Sequence, residues 1–396
     1  MAEPSTQPPP GRLLVAHRRL TIACLVAMVV FAASVTTPAI CLSAIGREFR
    51  LGLADRGLLG SLRMAALLAA LLLSGRLADR FGKVRFLTTG LLLVAAGLAG
   101  TSLAGGYGAL LAAQAVAGLG MGAMEALVNP LVAELHPESP ARPLNIVNGL
   151  FSVGLVAAAL LTGEMLQAHF PWRATMWLWV APALVGAVLF ATRRYPQTMR
   201  ESGADQSTAF LRRPLFWVLM GAMVLGGGCE AGMTFWGASF VERELGASAR
   251  SGAATVAFFG AFMALGRFAT GGLVLRVRPA LLMACSAGGC ALATAGLCWV
   301  QTVSAAWALF ALGGLLVACF WPTILALAAE EVQVGSATMF ALLAAAGISG
   351  CTVFPWGIGA LGDAAGLRVG VALLPASMVA ELVLLLYARR MSARQT

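Results

Sequence analysis

Twelve apolar runs of about 20 residues or more alternate along the chain with polar connections. A helix crossing a bilayer needs about that many apolar residues, so each run predicts a membrane span. The runs lie near residues 20–44, 54–75, 84–104, 107–134, 143–167, 172–192, 214–240, 251–275, 279–301, 304–328, 335–360 and 366–388. Most connections are very short. The exception is 193–213, which is polar and carries Arg193, Arg194, Arg200, Arg212 and Arg213. It divides the runs six and six. The expected fold is therefore all-α and membrane-embedded: a tail at 1–18, a six-helix bundle at 19–192, a linker at 193–213 and a second six-helix bundle at 214–390.

Composition agrees with this pattern. The chain of 396 residues is 59% hydrophobic and 11% charged, where soluble domains carry about a quarter charged residues. The net charge of +10 could suggest a nucleic-acid partner. The basic residues cluster instead at the ends of apolar runs, so no nucleic acid is expected. With the N-terminus inside, eighteen basic residues fall in cytoplasmic segments. Seven fall outside: Arg47, Arg50, Arg56, Arg173, Arg243, Arg250 and Arg368. The positive-inside rule then places both termini and the linker in the cytoplasm of a multi-pass protein of the inner (plasma) membrane. The first run is too long for the core of a cleaved signal, so residues before it read as a tail. The eight cysteines lie in apolar runs without C-x-x-C spacing, and the three histidines are scattered. Small apolar packing is the expected cysteine role, and neither a metal nor a cofactor is implied.

The candidate chemistry lies in charges stranded inside apolar runs. Glu125 has no charged neighbour from Tyr107 to Ala133. Arg63 in span 2 and Glu230 in span 7 are similarly isolated. An ionisable group at hydrocarbon depth is costly and faces a cavity, a partner or a proton path. Arg63 lies about 13 Å into its span at 1.5 Å per residue and needs a partner, for which Glu125 is the expected residue. It could instead bind a substrate anion directly. Asn129 follows Glu125 by one turn on the same face. Asn129 and Asn148 can both donate to and accept from hydroxyls. Thr37 is among the few polar residues of span 1. Trp236 and Trp321 could stack on a solute ring, and Pro322 predicts a kink. Arg267 is expected to bond helix ends, and Glu164 and Glu381 to reach water. Catalysis is not expected, because no nucleophile–base set or ligand spacing is present.

Gly75-Arg76-Leu77-Ala78-Asp79-Arg80-Phe81-Gly82-Lys83, between spans 2 and 3, closely resembles the G-x-L-A-D-R-x-G-[RK] signature of the major facilitator superfamily. That resemblance implies two rocking six-helix halves. It also implies a cytoplasmic gate involving Gly75, Asp79, Arg80, Gly82 and Arg85. The counterpart in the second half, 272–278, lacks the acid.

Gly118 to Pro130 and Leu144 to Gly154 resemble the fucose–galactose–glucose:proton symporter family more finely. Gly228 to Gly232, Trp321-Pro322-Thr323 and Phe354 to Gly359 are looser matches. This resemblance implies proton-coupled sugar symport by a monomer, with Glu125 at the family's proton-carrying position. The sequence departs from the fucose branch in lacking an acid in span 1. The expected proton-coupling residues are Glu125 and Arg63. Asn129, Asn148, Glu230, Trp236, Trp321 and Thr37 are expected at the solute. Organic-anion transport through Arg63 and drug or lipid antiport are the alternatives. Antiporters carry a proline motif in span 5, and Gly149 to Gly163 has no proline.

Overall fold

The computed structural model describes residues 10–136, 138, 141–191, 209–274, 276–331 and 337–392. Twelve helices among them are long and apolar enough to cross a membrane. Spans 1 to 6 are His17–Ile40, Leu53–Ser74, Lys83–Leu103, Tyr107–Leu135, Ile146–Gln167 and Trp172–Phe190. Spans 7 to 12 are Pro214–Glu244, Ala249–Leu273, Pro279–Leu297, Val303–Ala328, Thr338–Ala365 and Leu367–Ala388. The described residues contain no strand. Successive spans alternate in direction. One end of the bundle, the linker end, carries the turn at Gly82 and the start of span 7. The far end carries 41–52, 104–106, 245–248 and 298–302. Most of the 193–213 connection lies outside the described residues.

Three apolar runs are interrupted where the sequence predicted continuous helices. The first helix ends at Ile40, after the internal Pro38, and a short helix, Leu42–Glu48, follows. Span 10 is two helices, Val303–Val317 and Phe320–Glu331, separated at Ala318 and Cys319. Pro322 lies in the first turn of the second, where its missing N–H costs no helix bond. Span 12 likewise restarts at Leu373 after Leu367–Val371, with Pro375 in its new first turn. The kink expected at Trp321-Pro322 thus falls at Ala318 and Cys319, where helical hydrogen bonding lapses while Ala318 keeps a helical φ of −57° and ψ of −28°.

Span 4 shows how glycine sets the packing. A Cβ on Gly118 would collide with the Arg63 carbonyl oxygen, and one on Gly122 with that of Leu67. A Cβ on Gly120 would strike the Gly90 carbonyl of span 3. Alternate glycines therefore seat span 4 on spans 2 and 3 at backbone contact, as small residues do in membranes. Spans 1 and 5, and spans 9 and 12, pair within the two sets of six. Spans 2 and 11, and spans 5 and 8, pack across from one set to the other.

At the linker end, Gly82 joins spans 2 and 3 with φ 87°, a left-handed backbone that suits glycine. Arg80 and Arg85 are exposed. Lys83 pairs with Glu134 at the end of span 4. The side chains of Gly75 and Asp79 lie outside the described residues.

Candidate functional site

Glu125, in span 4, lies ten residues before the helix end at Leu135 and eighteen after its start at Tyr107. It is half-buried, as are Asn129 one turn further on and Glu230 in span 7. The charges that act on Glu125 are those of Arg267 and Glu230. Arg267 Nη2 of span 8 lies 3.8 Å from Glu230 Oε1. Trp321, at the start of the second piece of span 10, interacts with the same carboxylate. One carboxylate from the first six spans thus lies within electrostatic reach of a carboxylate and a guanidinium from the second six, with the ion pair itself formed between Arg267 and Glu230.

This cluster is not built for stability. Gross attraction at the 3.8 Å of the Arg267–Glu230 pair is about 4 kcal/mol at an effective dielectric of about 20. Removing water from each ion costs several kcal/mol. Glu230 Oε2 is buried without a hydrogen-bond partner. Among the described residues, no hydrogen bond from the Arg267 guanidinium is formed. A loose pair with spare donors and a spare acceptor can exchange partners.

On the linker side of Glu125, the Asn148 amide donates to Asn129 Oδ1 at 3.1 Å and to the Leu144 carbonyl at 2.8 Å. Asn148 is exposed and Asn129 half-buried. Cys351 of span 11 donates to the Gly227 carbonyl at 3.2 Å and feels both Glu230 and Glu125.

Four expectations are corrected. Arg63 does not meet Glu125. Its guanidinium donates to the Ser34 and Val35 carbonyls at 3.1 and 3.3 Å and to Gln114 Oε1 at 3.1 Å. Gln114 in turn donates to Thr101 Oγ1 at 3.0 Å. The Arg63–Gly118 and Leu67–Gly122 contacts share one sequence offset, so spans 2 and 4 run parallel in that register. Glu125 is then level with Ala70, about 10 Å below Arg63 at 1.5 Å per residue. Arg63 is 1% exposed and ties spans 1, 2 and 4 together, enclosed in this conformation.

Trp236 is also enclosed. Its indole donates to the Pro355 carbonyl at 3.0 Å inside the core. Thr37 is buried, with its hydroxyl 3.2 Å from that of Thr162 on span 5. Both fasten helices rather than line a cavity. Glu381, expected to reach water, is 0% exposed. Arg267 is the site residue that sequence reasoning underrated. Its depth was readable, whereas its facing depends on how spans 7 and 8 pack.

The contacts named between the two sets of six run from the far end to mid-depth. Asp363 of span 11 accepts from Leu53 N at 2.7 Å and Ala54 N at 2.8 Å, covering the free amides at the start of span 2. The Trp356 amide donates to Ser61 Oγ at 3.1 Å. Ser43 donates to Ser239 at 3.2 Å. Arg250 pairs with Glu164 at 2.7 Å on the surface. The deepest, at mid-span, sets Gly260 against Leu155.

Comparison with known proteins extends this picture. A putative metabolite transport protein of Haemophilus influenzae is 32% identical over 168 residues, 42% of this chain and 41% of that protein. A cis,cis-muconate transport protein of Acinetobacter baylyi is 25% identical over 223 residues, 52% of this chain and 53% of that one. The matched region spans about half the length of these curated relatives. Among solved structures, the nucleoside transporter NupG superposes with a TM-score of 0.80 at 12% identity, covering 94% of this chain and 99% of that one. A D-xylose–proton symporter gives 0.76 at 15%, with 93% and 97% covered. A bacterial homologue of the human lysosomal transporter Spinster gives 0.74 at 18%, with 96% of each covered. These structures share the fold alone. The family model itself covers residues 22–352, and with twelve spans in this arrangement the chain belongs to the Major Facilitator Superfamily.

Proposed function

We propose proton-coupled secondary active transport of a small polar solute, with a sugar as the first class to test. The observation that carries this reading is the placement of Glu125 and Glu230, from opposite sets of spans, around Arg267. A proton taken by Glu125 removes one of the two carboxylates competing for that guanidinium. Arg267 then belongs to Glu230, and the two sets of spans are free to move relative to one another. Asn129, Asn148 and Trp321 offer the amides and the ring face that suit a hydroxylated solute. The far end is held by Asp363 and its neighbours, which supports access to the site from the linker end in this reading. The excess of basic residues at the linker end supports its facing the cytoplasm, with the protein in the inner (plasma) membrane and acting as a monomer.

A second reading, organic-anion transport, rests on Arg267 rather than Arg63. Its guanidinium has open donors, and planar forked donors suit carboxylates. The muconate transporter among the relatives makes small carboxylates the anions to test.

Uptake into proteoliposomes, with and without an inward proton gradient, tests both readings. The panel holds hexoses, deoxyhexoses and small mono- and dicarboxylates, on the wild type and Glu125→Gln. The expected result is gradient-stimulated uptake that Glu125→Gln abolishes while solute exchange persists. Gradient-independent uptake unchanged in Glu125→Gln sinks the coupling role. Carboxylate uptake without sugar uptake, lost in Arg267→Gln, moves the substrate to the second reading.

A further inference from the structure

Among the described residues, Glu381 is the most deeply sealed acid. It lies in span 12, fourteen residues after Leu367, and is 0% exposed. Both carboxyl oxygens are buried without a hydrogen-bond partner. Its surroundings come from three other spans. On span 7, a Cβ on Gly226 would lie 3.2 Å from Glu381 Oε1, so the glycine leaves room for the carboxyl. The same imagined Cβ would lie 3.3 Å from Phe320 of span 10. The titratable groups facing Glu381 are thiols: Cys290 on span 9, Cys229 on span 7 and Cys319 at the break of span 10. No described Arg, Lys or His pairs with it.

An ionised carboxylate cannot persist in such a place without a cation or donors. The group therefore holds a proton in this conformation. What it packs against gives that proton a use. Cys319 lies in the interruption of span 10 and Phe320 opens its second piece, and Trp321, the next residue, interacts with Glu230. Cys229 adjoins Glu230 in sequence and feels both acids. A single irregular segment thus touches the sealed acid on one side and the central cluster on the other.

We propose that Glu381 is a second proton-binding site, loaded and emptied when the break in span 10 opens. Movement of Phe320–Glu331 against Val303–Val317 would admit water to Glu381 and shift Trp321 on Glu230 together. The ligand is the proton, and the site does not depend on the role given to Glu125.

Infrared difference spectra of the reconstituted full-length protein, between acidic and alkaline buffer, test this directly. The expected result is the carbonyl stretch of a protonated, unbonded carboxyl that fades as pH rises. It is present in the wild type and in Glu125→Gln and absent from Glu381→Gln. A band that persists unchanged at every pH overturns the proposal, since the acid is then a fixed neutral filler. So does a titrating band that survives in Glu381→Gln. Should Glu381→Gln fail to fold, the wild type is treated with dicyclohexylcarbodiimide. The protonated carboxyl adds across one C=N bond and rearranges to an N-acylurea with no atoms lost. Labelling of Glu381, located by peptide mass spectrometry and rising as pH falls, supports the site. Absent or pH-independent labelling overturns it.

Discussion

At the scale of single residues, a buried charge takes its meaning from what it meets, which depth alone does not give. Arg63 and Arg267 are both interior arginines. Arg63 is held through both Nη atoms by two carbonyls and an amide oxygen, all neutral, with its Nε buried and unpartnered. Arg267 pairs loosely with Glu230 at 3.8 Å and acts electrostatically on Glu125. Removing Arg63 strands Gln114 Oε1 and two span 1 carbonyls in the core, at roughly 1–3 kcal/mol for each unsatisfied group. Arg63→Ala is expected to lower the melting temperature of the detergent-purified protein by many degrees. Arg63→Lys is expected to fall nearly as far, because one ammonium cannot copy a planar fork held by acceptors on two helices. Arg267→Gln should leave the melting temperature close to that of the wild type while abolishing transport. Fluorescence-detected thermal melts of the three variants separate these outcomes. Equal melts for Arg63→Lys and the wild type would remove the structural role assigned to Arg63.

At the scale of helices, the twelve spans were legible because length and apolarity are properties of a run by itself. The breaks at Cys41, Ala318-Cys319 and Ala372 were less so, since an apolar run looks the same whether its backbone continues or turns. A proline lies within four residues of each, Pro38, Pro322 and Pro375, though only Pro322 was read as a kink. The candidate site was legible in its acids and amides, Glu125, Glu230, Asn129 and Asn148, as polar residues where polarity is costly. Its geometry was not, because it follows from the register between helices. Glycine contacts fix that register. Gly118→Ala would push span 4 off the Arg63 carbonyl and is expected to cost several kcal/mol, in the range of overpacked cores. Gly149→Ala, with nothing within 4 Å of an added Cβ, is expected to stabilise span 5 by about 0.5–1 kcal/mol. Thermal melts of the pair should move in opposite directions. The short helix Leu42–Glu48 offers a test with pH. Glu48 accepts from Arg173 at 2.6 Å and Trp172 at 2.5 Å. The Arg173 hydrogen bond, above all, holds its carboxyl below the ordinary value of 4.5. A depressed acid stabilises the fold above its unfolded value and loses that contribution as pH falls through the folded one. Between pH 7 and 3, Glu48→Gln should therefore lose less thermal stability than the wild type. The effect is small, because Glu48 is 42% exposed and screened.

At the scale of the whole molecule, the structure holds one end shut with contacts that a transport cycle must release. Asp363 is central to them. It caps the start of span 2 from span 11, so a single carboxylate joins the two sets of spans and satisfies two backbone amides. A charged cap at a helix N-terminus contributes about 1 kcal/mol through its hydrogen bonds, with a further 0.3–1 kcal/mol from the helix dipole. Gly52 lies close beneath it, where an added Cβ would come within 3.0 Å of Asp363 Oδ2, so the fit leaves no room for a bulkier residue. Asp363→Ala removes both interactions without touching the central cluster. A loss of about 1.4 kcal/mol changes a two-state equilibrium tenfold. The population open at the far end should rise by about that factor. Spin labels at Leu103 and Trp299, both exposed beside the far end in opposite sets, would read it as a longer component in their distance distribution. Asp363→Asn keeps an acceptor but loses the charge and one oxygen, and should fall between the two. Exchange of solute across the membrane should continue in both variants, because Glu125, Glu230 and Arg267 are untouched. An unchanged distance distribution in Asp363→Ala would mean that Ser43–Ser239, Ser61–Trp356 and the packing of spans 2 and 11 hold the far end without the cap. The free energy of switching would then reside in helix packing, and the charge would serve only to satisfy the amides it covers.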